Sequence, residues 1–151
     1  MTALQGVLAD LAAESQELEA AITELEPEQW ATVTTPEGWT IAHQIGHLHW
    51  TDRQSVLAIQ DAEAFNAEMM TFIERAATIV DDEAAELAKV PPAELLELWR
   101  AGQAQLNEAL AAVPAGEKVP WYGPPMSPIS MATARLMETW AHSHDVLESL
   151  G

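Results

Sequence analysis

An all-α domain built as a four-helix bundle is the architecture these 151 residues predict. Three features point to it. Ala, Leu, Glu and Gln dominate the polar segments while β-branched alternation is scarce, which favours helix over strand. Apolar residues recur at three- and four-residue intervals over long stretches. Short clusters of Pro, Gly and Thr separate those stretches, and short connections between long helices are what a bundle requires. With 48% hydrophobic residues, a chain of this length buries one sizeable core and is too short for two ordinary domains, so residues 1–151 are expected to form one domain.

The first helix is expected from about Leu4 to Leu25, where Leu4, Leu8, Leu11, Leu18, Ile22 and Leu25 make one apolar stripe that ends before Pro27. A Thr-, Pro- and Gly-rich loop from Ala31 to Gly38 follows. Thr40 is positioned to cap a second helix of about twenty residues, with Ile41, Ile45, Leu48, Val56 and Ile59 along one face and His47 well off it. A shorter amphipathic stretch runs from about Ala64 to Val80. Pro91 and Pro92 then open a third long helix that reaches about Val113 and stops at Pro114 and Gly116. The segment VPWYGPPMSP has four prolines, a glycine and two adjacent aromatics, so it cannot be helical throughout. Ser127 and Pro128 supply cap and first turn for a last helix to about Leu150, with Ile129, Leu136, Trp140 and Leu147 read as its apolar stripe. Trp30, Trp99 and Trp140 are expected in the core.

Charge and composition narrow the function. Twenty-four acidic residues against six basic ones give a formal charge of −18, so phosphate backbones and anionic lipid surfaces are repelled and nucleic acid is disfavoured as a partner. The N-terminal segment lacks a basic start and an apolar run, and no stretch approaches a membrane span, so a cytoplasmic location is expected. The absence of cysteine rules out a disulfide framework, a thiolate metal site and a cysteine nucleophile. Any thiol chemistry must be imported.

The last helix places Glu138, His142 and Asp145 away from its apolar stripe. A carboxylate and an imidazole one turn apart are surface neighbours and can converge on one ion. The second helix offers a third ligand from TIAHQIGHLHWTD. His47 is preferred; His43, a turn earlier on a similar face, is an alternative or a partner behind the ligands, and His49 points elsewhere. Asp145, one turn beyond His142, either orients that ring by a hydrogen bond or faces solvent. Trp121 and Tyr122 either wall a pocket or cover the core. Asp52 falls within an apolar stripe and needs a partner there. An amphipathic helix also presents Glu, His and Asp to water with no metal, so spacing alone leaves both readings open.

The runs GWTIAHQIGHLHWTD and ARLMETWAHSHDV, taken together, resemble the DinB-like superfamily, specifically the N-terminal metal-binding domain of mycothiol-dependent maleylpyruvate isomerases and their actinobacterial relatives. The likeness covers essentially the whole chain. It implies a ligand histidine eight residues after Trp39, which is His47, and a Glu-x-x-x-His ligand pair, which is Glu138 and His142. It assigns nothing to His43, His49 or His144. Isomerases of that family carry a C-terminal domain that helps complete the active site, whereas this sequence stops at Gly151, about where the N-terminal domain would end.

Two imidazoles and a carboxylate suit Zn²⁺ and would also accept Ni²⁺, Co²⁺ or Fe²⁺, and three protein ligands leave a position open for water or substrate. The resemblance implies mycothiol as cosubstrate, adding as thiolate to a small electrophile in an isomerase or transferase reaction. The alternatives are a non-catalytic metal- or ligand-binding domain, or a hydrolase that uses bound water and needs no thiol. Whether the bundles pair into a homodimer is left open by the sequence.

Overall fold

Six helices form in the computed structural model, which describes residues 1–151: α1 (Ala3–Thr23), α2 (Ile41–Gln60), α3 (Ala62–Phe72), α4 (Ile79–Ala88), α5 (Pro92–Ala112) and α6 (Pro128–Leu150). The four long helices make the bundle, with α1 packed on α6, α2 on α5, and α2 also against α6. No strand forms, and no helix is long and apolar enough to cross a membrane.

Local chemistry sets the helix ends. Thr2 and Gln5 close a reciprocal capping box on α1, and Thr40 and His43 do the same on α2. Asp61 accepts the Ala64 N–H at the start of α3, and Ser127 accepts that of Ser130 ahead of Pro128 at the start of α6. Both non-helical loops are pinned by backbone pairing. Val33 pairs with Thr40 before α2, and Val119 pairs with Met126 around Trp121 and Tyr122. The first loop turns at Gly38, whose φ of 79° lies in the left-handed region that glycine adopts without strain.

Two apolar clusters make the core. One gathers Leu18, Ile22, Trp30, Ile45, Leu48 and Trp99; the other gathers Leu11, Phe65, Leu106, Leu110 and Met131. Between them along α2 lies a buried polar band of Thr51, Asp52, Gln54 and Ser55. Buried Asp52 finds its partner 83 residues away, in the Arg135 Nε–H at 3.0 Å. Those side chains are only 5% and 3% exposed, so this is a desolvated ion pair.

The structure corrects two sequence expectations. The stretch expected as one amphipathic segment from Ala64 to Val80 is split by a turn at Ile73–Arg75, and its second part belongs to α4. α4 docks on α2 where Gly46 leaves room: a β-carbon there would sit 2.8 Å from Leu87 Cβ. Second, α6 is rotated relative to its apolar stripe. Its buried face is Met131, Ala132, Arg135, Thr139, Ser143 and Val146. Trp140 is 61% exposed and no part of the core, unlike Trp30 and Trp99. The reason is polar pairing: Arg135 must face Asp52. α2 has no solvent face over most of its length, because α3, α4, α5 and α6 surround it, so His47 is buried although it lies off the apolar stripe.

Candidate metal centre

His47 on α2 and Glu138 and His142 on α6 present ligand atoms that all lie within 4.8 Å of one another. His47 Nε2 stands 3.4 Å and His142 Nε2 3.1 Å from the same carboxylate oxygen, Glu138 Oε2. Ligands held at about 2.0–2.1 Å around a tetrahedral ion are separated from one another by about 3.3 Å. The observed spacings fit that figure with little movement. His47 is buried, while the Glu138 side chain is 46% exposed and leaves the cluster open on one side.

The His142 ring is oriented by a relay that begins in the loop before α2. The Thr34 hydroxyl donates to the Trp39 carbonyl at 2.8 Å and accepts from Gln44 Nε2 at 3.0 Å. That fixes the Gln44 amide so that its Oε1 faces His142 Nδ1. An amide oxygen only accepts, so His142 carries its proton on Nδ1 and turns the Nε2 lone pair toward Glu138. A nitrogen lone pair facing a carboxylate oxygen at 3.1 Å is stabilised only with a cation between or beside them. Either a proton or a metal ion meets that need. Gln44 and Thr34 are 0% and 6% exposed, so water does not compete for the relay.

Electrostatics prepares the remaining groups. Burial holds His47 below the ordinary imidazole value against the pull of Glu138, so its ring is neutral and able to ligate near neutral pH. When a proton and not a metal ion lies between the groups, hydrogen bonding from His142, and then from His47, holds the Glu138 carboxyl far below the usual range despite its partial burial. Trp39 backs the imidazoles, with its ring centroid 5.3 Å from His47 and 6.0 Å from His142, and its Nε1–H donates to Asp81 on α4 at 2.8 Å.

Asp145, His43, His49 and His144 all stand outside the cluster. Asp145 makes no hydrogen bond to His142; Gln44 occupies that position because α2, and not the next turn of α6, faces Nδ1. His43 stands apart from the cluster, since its Nδ1 is engaged at Thr40 in the helix cap and its ring stacks on Trp39. His49 is buried against Gly102 of α5, and His144 lies on the surface beside Trp140. Gln44 and Thr34 were missed by sequence reasoning. Gln44 lies three residues before His47 and so on a neighbouring face, a signal that was available; the Thr34 contact depends on loop folding and had none.

A cavity of about 770 Å³ opens beside the cluster, with His47, Arg135 and Glu138 at one end. Trp121 and Tyr122 line it while also packing on the core: Trp121 stacks on Phe65 at 5.7 Å, and the Tyr122 hydroxyl donates to Gln54 at 2.9 Å. The two rings thus line the cavity and pack on the core at once. Burial, and then Glu68 and Glu83, push the Tyr122 hydroxyl well above its ordinary value, so it stays protonated.

The family model for the mycothiol maleylpyruvate isomerase N-terminal domain matches residues 11–147. Uncharacterized proteins from two strains of Mycobacterium tuberculosis are 54% identical over 144 residues, which is 95% of this chain and 56% of theirs. The chain thus spans little more than half the length of those relatives. Crystal structures of the mycothiol-dependent maleylpyruvate isomerase and of a mutant of it superpose with TM-scores of 0.73 and 0.72 at 16% and 15% identity, covering 95% of this chain and 60% of theirs. At that identity the superposition speaks for the fold, which is DinB-like.

Proposed function

Since the chain belongs to the mycothiol maleylpyruvate isomerase N-terminal domain family, we propose that it binds one divalent metal ion through His47, Glu138 and His142 and serves a mycothiol-dependent isomerase or thiol transferase. The observation that carries this reading is the convergence of two imidazole nitrogens and one carboxylate, from helices remote in sequence, beside a cavity. Two imidazoles and one carboxylate suit Zn²⁺ and tolerate Ni²⁺, Co²⁺ or Fe²⁺.

When bound, the ion supplies Lewis acidity that favours the thiolate form of an external thiol and the negative charge developing on a substrate carbonyl. The chain supplies the rest. Gln44 holds His142 in the ligating tautomer, Trp39 fixes both ring planes, and the exposed side of Glu138 leaves an approach for thiol and substrate. Trp121 and Tyr122, held by Phe65 and Gln54, form one aromatic wall of the cavity.

The thiolate sulfur bonds to one carbon of an activated double bond as the π pair moves onto the conjugated carbonyl oxygen. Rotation about the new single bond and expulsion of the thiolate give the trans isomer; protonation of the enolate by solvent gives a thiol adduct instead. No cysteine of the chain competes with the external thiol.

The test combines metal content with thiol-dependent turnover. Purified protein is expected to hold stoichiometric metal that is lost in His47→Ala and Glu138→Ala, and to convert a maleylpyruvate-like substrate only with mycothiol. Equal metal in all three proteins would dispose of the site. Turnover that proceeds without thiol would point to hydrolysis by bound water.

A further inference from the structure

We infer that Arg135 anchors the guest of this cavity, and that the guest is an amphiphilic carboxylate whose acid group meets the guanidinium while its apolar body lies along the remaining walls. The inference rests on the proposed reading in taking this cavity as the place of the substrate, and it names the class of that substrate.

Arg135 and Asp52 have unequal access to the cavity. Arg135 belongs to its lining and Asp52 does not, so the anion of the pair stands behind the wall and the cation is part of it. Asp52 also leaves much of the guanidinium unmatched. The Nε–H is aligned on Asp52 Oδ1 at 3.0 Å, whereas Nη2 lies 3.0 Å from the same oxygen but off its line, and is buried with no hydrogen-bond partner. Native proteins seldom leave a buried donor unmatched, and a guanidinium cannot shed its charge to escape the cost. A carboxylate is its natural complement, because two oxygens can meet two N–H groups of the planar fork.

The rest of the lining sets the body of the guest. His47, Thr51, Arg135 and Glu138 are its polar members, drawn from adjacent turns of α2 and of α6, and the other 13 of the 17 lining residues are hydrophobic. The Thr51 hydroxyl is engaged on the His47 and Leu48 carbonyls, which leaves Arg135 as the polar side chain with donors to offer. Trp50, Phe72 and Met69 give the other walls aromatic and thioether surface, against which an alkyl or aryl chain gains by burial. A divalent ion at the neighbouring ligands would offset the charge of Glu138 and favour an anion at this end further.

Octanoate and octanamide share one chain and differ in the charge of the head. Each is titrated at pH 7 into metal-stripped and zinc-loaded protein without thiol, and binding is followed through tryptophan fluorescence, since Trp50 and Trp121 line the cavity. Metal-stripped protein is expected to bind octanoate about fivefold tighter than octanamide, and zinc-loaded protein to widen that margin. Asp52→Leu with Arg135→Met removes both charges of the pair; without metal it is expected to bind octanoate no tighter than octanamide, and octanamide within about threefold of wild type. Arg135→Lys keeps the charge but loses the fork, is expected to cut the preference to about twofold, and carries the test should the double variant not fold. Equal binding of the two ligands by wild-type protein would overturn the inference, as would octanoate that never saturates, or a full preference that survives in these variants. A preference seen only with zinc would assign the head group to the ion, overturning the role of Arg135 and leaving the metal reading intact. A preference in a protein that takes up no zinc would do the reverse.

Discussion

Replacing Gln44 by Leu removes the hydrogen-bond acceptor behind His142 together with the donor to Thr34, and it tests the relay apart from the ligands themselves. In the native arrangement Gln44 Oε1 receives the Nδ1 proton of His142, and Gln44 Nε2 donates to Thr34. The leucine leaves the Nδ1–H without its partner and releases the ring to change tautomer. An unsatisfied buried donor costs about 1–3 kcal/mol. His142 retains 18% side-chain exposure, so water recovers part of that and the lower half of the range applies. Loss of a partner behind a ligating histidine weakens metal affinity by about 10–100-fold, with tenfold equal to about 1.4 kcal/mol. The expectation for Gln44→Leu is therefore about tenfold to thirtyfold weaker Zn²⁺ binding, read by competition with a chromogenic chelator. Thr34→Val keeps the acceptor but removes the hydroxyl that orients it, and is expected to weaken binding by about threefold. A Gln44→Leu protein that binds within twofold of wild type, while Glu138→Ala loses the metal, would refute the reasoning.

Asp52→Asn strips the counter-charge from a guanidinium that is 3% exposed, and urea denaturation is expected to show a loss of about 3–5 kcal/mol. The paired change Asp52→Leu with Arg135→Met removes both charges and is expected to recover most of that stability; a double variant no better than the single one would contradict the assignment. His49 is held down to about 4, first by burial and then by Arg53. Below an unfolded value of about 6.5 the unfolded chain takes up a proton that the folded chain refuses, so stability falls as pH drops from there toward 4. After allowance for residual solvent access this amounts to roughly 2 kcal/mol. His49→Gln is expected to flatten the wild-type slope between pH 7 and 5, a window above ordinary carboxylate titration; parallel slopes would rule His49 out as its source.

Much of the fold was legible because it depends on local rules. Caps at Thr40 and Ser127, breakers at Pro27, Pro114 and Gly116, and helical spacing of leucines placed the long helices within a few residues of their observed limits. The i, i+4 spacing offered Glu138 and His142 as a pair but left open whether they bind anything, and it was the family resemblance that joined His47 to them; the structure brings the three ligand atoms together between α2 and α6. What escaped was set by contacts between distant residues. Asp52 was expected to need a partner, but nothing in the sequence named Arg135, 83 residues away, as that partner, and their pairing turns Arg135 inward while Trp140 is exposed. The turn at Ile73–Arg75 contains neither Pro nor Gly, so nothing in the sequence marks the break that starts α4. Thr34 acquires its role only after the Val33–Thr40 pairing brings its loop over Gln44.

The metal assignment is tested most directly by anomalous diffraction at the zinc edge from crystals of zinc-loaded protein. One strong peak is predicted, about 2.0–2.2 Å from Nε2 of His47, Nε2 of His142 and a carboxylate oxygen of Glu138. A peak held by other side chains, or an empty map between α2 and α6, would contradict it.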